Sequence, residues 1–180
     1  MLYCFLAPGF EETEAIAPID MLRRAKIDVK TVGIGAKTIV GSHGVPMVCD
    51  LTEDEIMLDD TLQGVILPGG MPGTRNLENS AAVQAALDYC SENGRLLCAI
   101  CAAPSVLGHK GLLKKKEAIA FPGFEDDLFG AVISDRFVVT DGNVITAKGA
   151  GVALDFGLAI VAAIKDKATA EAIKAAIQCP

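Results

Sequence analysis

The stretch Arg95-Leu-Leu-Cys-Ala-Ile-Cys-Ala-Ala-Pro-Ser-Val-Leu-Gly108 begins as an apolar run and breaks at a cysteine, two alanines and a proline. Leu96–Ile100 reads as a strand buried on both faces, and a helical pattern follows Cys101. A thiol at such a handover has two readings. Cys101 is a small apolar filler, as free cysteines commonly are, or the turn exists to present its sulfur.

The same alternation extends in both directions. Leu2–Leu6, Val29–Ile34, Gly64–Leu67 and Asn143–Thr146 are further short apolar strands. Helical patterns cover Glu11–Ala25, with Ile16, Ile19 and Leu22 on one face, and Ala81–Ser91, Val152–Ile164 and Ala168–Ile177. Ile39–Val48 reads as a hairpin excursion around Ser42-His43-Gly44, and shorter extended pieces lie at Ala118–Phe121 and Phe137–Thr140. Near-continuous apolar strands separated by helices predict a parallel sheet covered on both faces. The expected fold is a doubly wound, mostly parallel α/β sandwich over residues 1–180, one domain without repeats or linkers.

Composition narrows the function classes. Of 180 residues, 51% are hydrophobic and 22% charged, which excludes a disordered chain. A formal charge of −7 disfavours nucleic acid or an anionic membrane as partner. The basic run Lys114-Lys115-Lys116 is expected in a solvated turn. Asp155, Lys148 and Arg95 cut every apolar stretch short of the ~20 residues a membrane span needs. The start, MLYCFLAPGFEETE, has no basic n-region and meets three glutamates early, so a signal peptide is not expected. The six cysteines follow no framework spacing, so a cytoplasmic protein with reduced thiols is expected. Cys98 and Cys101 match C-x-x-C, but three residues apart on one strand they would face opposite ways. No second Cys/His pair stands at zinc-ligand spacing.

In a doubly wound fold, small molecules bind beyond the carboxyl ends of the strands. The segments leaving those ends are Ala7–Glu11, Pro68–Gly73, Cys101–Pro104 and Ala147–Gly151. All are rich in residues that let backbone approach a ligand, and one carries the thiol. Pro68–Gly73 lacks the ending of a P-loop, and no strand-to-helix turn supplies G-x-G-x-x-G, so nucleotide binding is rejected. Cys101 therefore reads as a functional thiol with strained backbone, its thiolate favoured by a helix beginning just after it. His43 and His109 are poor candidates for its base. Glu14 is the better one: Pro18, four residues on, cannot donate to the Glu14 carbonyl, so the helix is expected to bend there. A buried Glu14 would have a raised pKa and could donate to a thiolate.

With these residues in view, the chain resembles the ThiJ/PfpI superfamily, in its DJ-one/YajL-like branch. The motifs are APGFEETEAI, VILPGGMPG, AICAAP and KGAGVALDFGLAIV, in order and spacing. The resemblance implies a flavodoxin-like fold and a homodimer with the first helix at the subunit contact. It also implies Cys101 as oxidation-sensitive nucleophile, Glu14 as the protonated carboxyl touching it, an anion pocket lined by the Gly70 and Ala102 amides, and a turn shaped by Gly69. Ala102 stands where protease-like members carry histidine, which argues against a peptidase. No downstream histidine-glutamate pair supports a glutaminase. Phe121-Pro122 stands where some relatives have a histidine before proline, and His43 where relatives carry arginine.

Two functions follow from one site. In the first, Cys101 and Glu14 act on small reactive carbonyls, in glyoxalase or deglycase fashion, without cofactor or metal. In the second, the protein is a non-enzymatic oxidative-stress sensor or chaperone-like protein working through Cys101 sulfinate, with an oxidant as partner. The residues alone do not choose between them.

Overall fold

The computed structural model describes residues 1–179. Its centre is a seven-stranded sheet. The strands are β1 (Leu2–Leu6), β2 (Val29–Gly33), β5 (Leu51–Thr52), β6 (Gly64–Leu67), β7 (Leu96–Ile100), β10 (Val138–Asp141) and β11 (Val144–Ala147), with β3 (Thr38–Val40) and β4 (Pro46–Val48) forming a hairpin and β8 (Glu117–Ala118) and β9 (Val132–Ile133) a second small pair. The sheet order is β10-β11-β7-β6-β1-β2-β5. Every pairing in it is parallel except β10 with β11. The expected doubly wound, mostly parallel sheet is thus the fold observed.

Strand side chains alternate between two apolar layers, as a period of two requires. Leu2, Cys4 and Leu6 enter one layer, and Tyr3, Phe5 and Ala7 the other. The first layer is closed by α1 (Glu12–Arg24), α5 (Ala153–Ile164) and α6 (Lys167–Ala176). The second is closed by α3 (Ala81–Glu92) and α4 (Pro104–His109), with α2 (Gly73–Glu78) beside them. Because both faces are covered, the strands are apolar at consecutive positions rather than at alternate ones.

Three expectations need correction. Ile16 does not share the buried face of Ile19 and Leu22; it is 47% exposed. Helix α1 is unbroken through Pro18, as the expected loss of a donor to the Glu14 carbonyl presupposes. There Pro18 sits at the closest approach of α1 to α5: a Cβ on Gly157 would stand 2.7 Å from the Pro18 Cα. The helix after Cys101 begins only at Pro104 and has six residues, so its dipole at the sulfur is weak. Finally, Cys101 lies one residue past β7, and its left-handed φ of 64° turns its side chain into the same apolar layer as Cys98. Both are free thiols. The Lys114–Lys116 run does lie in a turn and the adjoining connection. Among the described residues, no helix is long and apolar enough to cross a membrane.

Candidate functional site

Four segments leave the carboxyl ends of the central strands, and three of them meet at Cys101. The residue is partly exposed and carries the positive φ expected of an elbow, a conformation costly for a side chain with a Cβ. Two backbone bonds pin it: its N–H donates to the Ala147 carbonyl at 2.9 Å, and its carbonyl accepts from Phe121 N–H at 2.8 Å. The following turn is tied by Ser105 Oγ, which donates to the Ala102 carbonyl at 2.7 Å. With backbone held on both sides, the strain is sustained by neighbours rather than relieved.

Two amides address the sulfur, those of Ala102 and Gly70. Gly70 has φ 87°, and a Cβ there would lie 2.5 Å from Glu11 N. Only glycine lets that amide reach inward. Gly69 is required for a different reason: a Cβ on it would stand 2.7 Å from both Cys101 Cβ and Glu14 Oε2. The glycine turn is therefore packed directly against the thiol and the acid.

Glu14 comes from the first turn of α1, where Glu11 caps the helix by accepting from Glu14 N–H at 2.7 Å. Its carboxyl is buried and hydrogen-bonded to Cys101 Sγ. Gly69 N–H donates to Oε2 at 2.9 Å, and the Ala150 amide donates to the same carboxyl. Burial pushes Glu14 up to about 7; the Cys101 and amide hydrogen bonds oppose that rise and the Glu11 charge adds to it. A carboxylic acid close to half-protonated at neutral pH is what proton transfer at this sulfur requires.

The thiol differs from the sequence expectation of a simply ionised sulfur. Burial pushes Cys101 up to about 12, reinforced by the Glu14 charge and its hydrogen bond and opposed by the two amides. The contributions from Glu14 apply while it is a carboxylate. When Glu14 holds the proton, its charge is gone and its O–H can donate to sulfur, so the same neighbour then favours thiolate. Above the Glu14 value, Cys101 and Glu14 hold one proton between them.

The two histidines serve elsewhere. His43 Nδ1 lies 2.9 Å from Glu12 Oε2 in the hairpin, and the ring of His109 is held between Glu78 at 2.6 Å and Asp127 at 3.2 Å. Among the described residues, the grouping with metal-ligand potential is Glu11, Glu12 and His43. Its oxygens are already taken by the His43 and Val45 amides, Ser42 Oγ and the Glu14 amide. Sequence reasoning brought Cys101, Glu14, Gly69, Gly70 and Ala102 together, as the structure does. It missed the Ala150 amide and Gly149, a Cβ on which would lie 3.2 Å from the Phe121 ring and 4.0 Å from Glu14 Oε1. The signal was present in the glycine-rich strand end Ala147–Gly151.

The chain is 39% identical over 158 residues to Protein DJ-1alpha of Drosophila melanogaster, spanning 86% of this chain and 73% of that one. It is 35% identical over 177 residues to the Parkinson disease protein 7 homolog of Danio rerio, spanning 94% and 92%. A crystal structure of a cysteine-to-alanine variant of a DJ-1 superfamily protein from Salmonella typhimurium superposes with a TM-score of 0.93 at 37% identity, covering 99% of this chain and 98% of that one. The family model described as the DJ-1/PfpI family matches residues 2–163, and the chain belongs to that family.

Proposed function

We propose that the protein isomerises small 2-oxoaldehydes to 2-hydroxy acids at Cys101, with Glu14 as the proton carrier and no cofactor or metal. The observation that carries this reading is that Cys101 and the buried Glu14 carboxyl meet at Gly69, a Cβ on which would stand 2.7 Å from both, with the Gly70 and Ala102 amides beside the sulfur. Transfer of the shared proton to Glu14 leaves a thiolate, which attacks the aldehyde carbon. The carbonyl π pair moves to oxygen, where the two amides stabilise the charge until Glu14 returns the proton and completes a hemithioacetal. Glu14 carboxylate then removes the hydrogen on that carbon, and the same proton is delivered to the neighbouring carbonyl carbon through an enediol. The product is a thioester of the 2-hydroxy acid. Water hydrolyses it, releasing the acid and restoring the thiol, with no net oxidation. The test is turnover of methylglyoxal: Cys101→Ala and Glu14→Ala are each expected to abolish it, and unchanged rates in either would discard the mechanism.

A second reading has its own support. Cys4, Cys49, Cys90 and Cys98 are buried, whereas Cys101 and Cys179 are partly exposed, and Cys101 has two amides and an acid beside it to hold an anion. Two equivalents of peroxide would convert its thiolate to sulfinate with release of two waters, making the protein an oxidant sensor. Peptide mass spectrometry after mild peroxide should then find two added oxygens on Cys101 before any other cysteine; random oxidation would refute selectivity. Exposed Ile16 on α1 and exposed Val45 and Val48 on the hairpin support a homodimer through that face. Sedimentation of Ile16→Asp, expected as a monomer, tests it.

A further inference from the structure

A cavity of about 460 Å³ lies beside the Cys101–Glu14 pair, walled by Phe121, Pro122, Phe137, Lys148 and the Gly149–Val152 turn. It shares two walls with the reacting groups. Phe121 N–H is bonded to the Cys101 carbonyl, and the Ala150 amide to the Glu14 carboxyl. Gly149 lies against both: a Cβ there would stand 3.2 Å from the Phe121 ring and 4.0 Å from Glu14 Oε1. The cavity and the thiol are therefore neighbouring compartments of one site.

Its chemistry is apolar. Phe121 is 47% exposed and Phe137 62%, leaving two aromatic faces in water. Lys148 Nζ stands 5.2 Å from the centre of the Phe137 ring, and Lys148 N–H bonds the Phe137 carbonyl at 2.9 Å. This cation–π contact and backbone bond fix the orientation of the outer wall. Volumes on the order of 300–1,000 Å³ suit ligands of many atoms, far more than the methyl group of methylglyoxal needs. We propose that this cavity is a substituent subsite, and that the substrates are 2-oxoaldehydes bearing an aryl or branched alkyl group seated against Phe121 and Phe137.

The inference rests on the carbonyl reading of Cys101, so the experiment separates the two. Labelling of Cys101 in the full chain by N-phenyl iodoacetamide and by iodoacetamide, each normalised to its rate with glutathione, reads the subsite without turnover. The aryl reagent should be preferred about tenfold in the native protein. Phe137→Ala and Phe121→Ala should remove that preference, while Phe129→Ala, beside His109, should keep it. In parallel, kcat/KM for phenylglyoxal should exceed that for methylglyoxal about tenfold, with the ratio falling toward one in Phe137→Ala. Equal aryl preference in native protein and Phe137→Ala overturns the subsite. Aryl preference that depends on Phe137, with neither dicarbonyl turned over, upholds the subsite and removes the proposed function.

Discussion

Glu12 and Glu14 sit in one turn of α1, and both are shielded from solvent, yet they have opposite charge chemistry. Glu14 points to the carboxyl edge of the sheet, where burial outweighs its hydrogen bonds and raises it to about 7. Glu12 lies under the β3–β4 hairpin. Burial raises it too, but the His43 side chain and amide, with the Val45 amide, outweigh that effect and hold it at about 2. Each is covered by a glycine: a Cβ on Gly69 would strike Glu14, and one on Gly41 would strike Glu12 Oε1. The hairpin is thin and rich in donors, whereas the sheet edge brings a thiol and a charged neighbour. Residue type and helix position are shared, so the environment alone makes one group an acid and the other an anchor.

The sharpest way to break this contrast is paired substitution. Glu14→Gln should lower methylglyoxal turnover about 10²- to 10⁴-fold, the range for losing a general acid-base group, while Glu12→Gln should leave it within about threefold. Equal losses would mean that Glu14 acts only by supporting the helix. Gly69→Ala comes next. Its new methyl must displace Cys101 or Glu14, so turnover should fall about 10²-fold and stability by about 1–3 kcal/mol, read by kinetics and denaturant titration.

The pH dependence of Cys101 alkylation sharpens the same contrast. Below the Glu14 value both groups carry protons and the sulfur is a thiol. Above it the pair shares one proton, and a constant fraction is thiolate. The alkylation rate should therefore rise through about pH 7 and level off. Glu14→Gln should lose that limb, and a profile unchanged by this substitution would dissolve the pair.

The smallest effect concerns the anchor. Glu12→Gln should cost about 1–2 kcal/mol through weakened charged hydrogen bonds, measured by denaturant midpoint. Glu12 is lowered from 4.5, so its contribution is present above 4.5 and lost as pH falls toward 2. His43 is raised from 6.5 chiefly by its Glu12 hydrogen bond, so its contribution is present below 6.5 and lost as pH rises through its folded value. The difference between native protein and Glu12→Gln should be greatest between these limits.

Much of this was legible along the chain. Gly64–Leu67 and Leu96–Ile100 are strands with the bounds their apolar runs predict. The Cys101 elbow and its strained backbone were expected from a strand meeting small residues, and the structure gives the strain as a φ of 64°. Residues whose partners are distant in sequence were harder. Leu51–Thr52 is too short to signal a strand and is defined by pairing with Val32 and Gly33. Ile16 fits the apolar face by periodicity, yet the described residues leave it 47% exposed. The ionisation of Cys101 was misjudged because a helix starting at Pro104 contributes little, while burial, reinforced by the sequence-distant Glu14, raises the thiol.

The order of apolar strands, helices and small-residue strand ends determined the layered fold and where the candidate site lies, since periodicity and backbone sterics act locally. Which of two neighbouring glutamates keeps its proton, and that Phe121 and Phe137 wall one cavity, was decided only by the folded chain. Desolvation and hydrogen bonding depend on atoms a few ångströms away in space, and those atoms come from strand ends far apart in sequence.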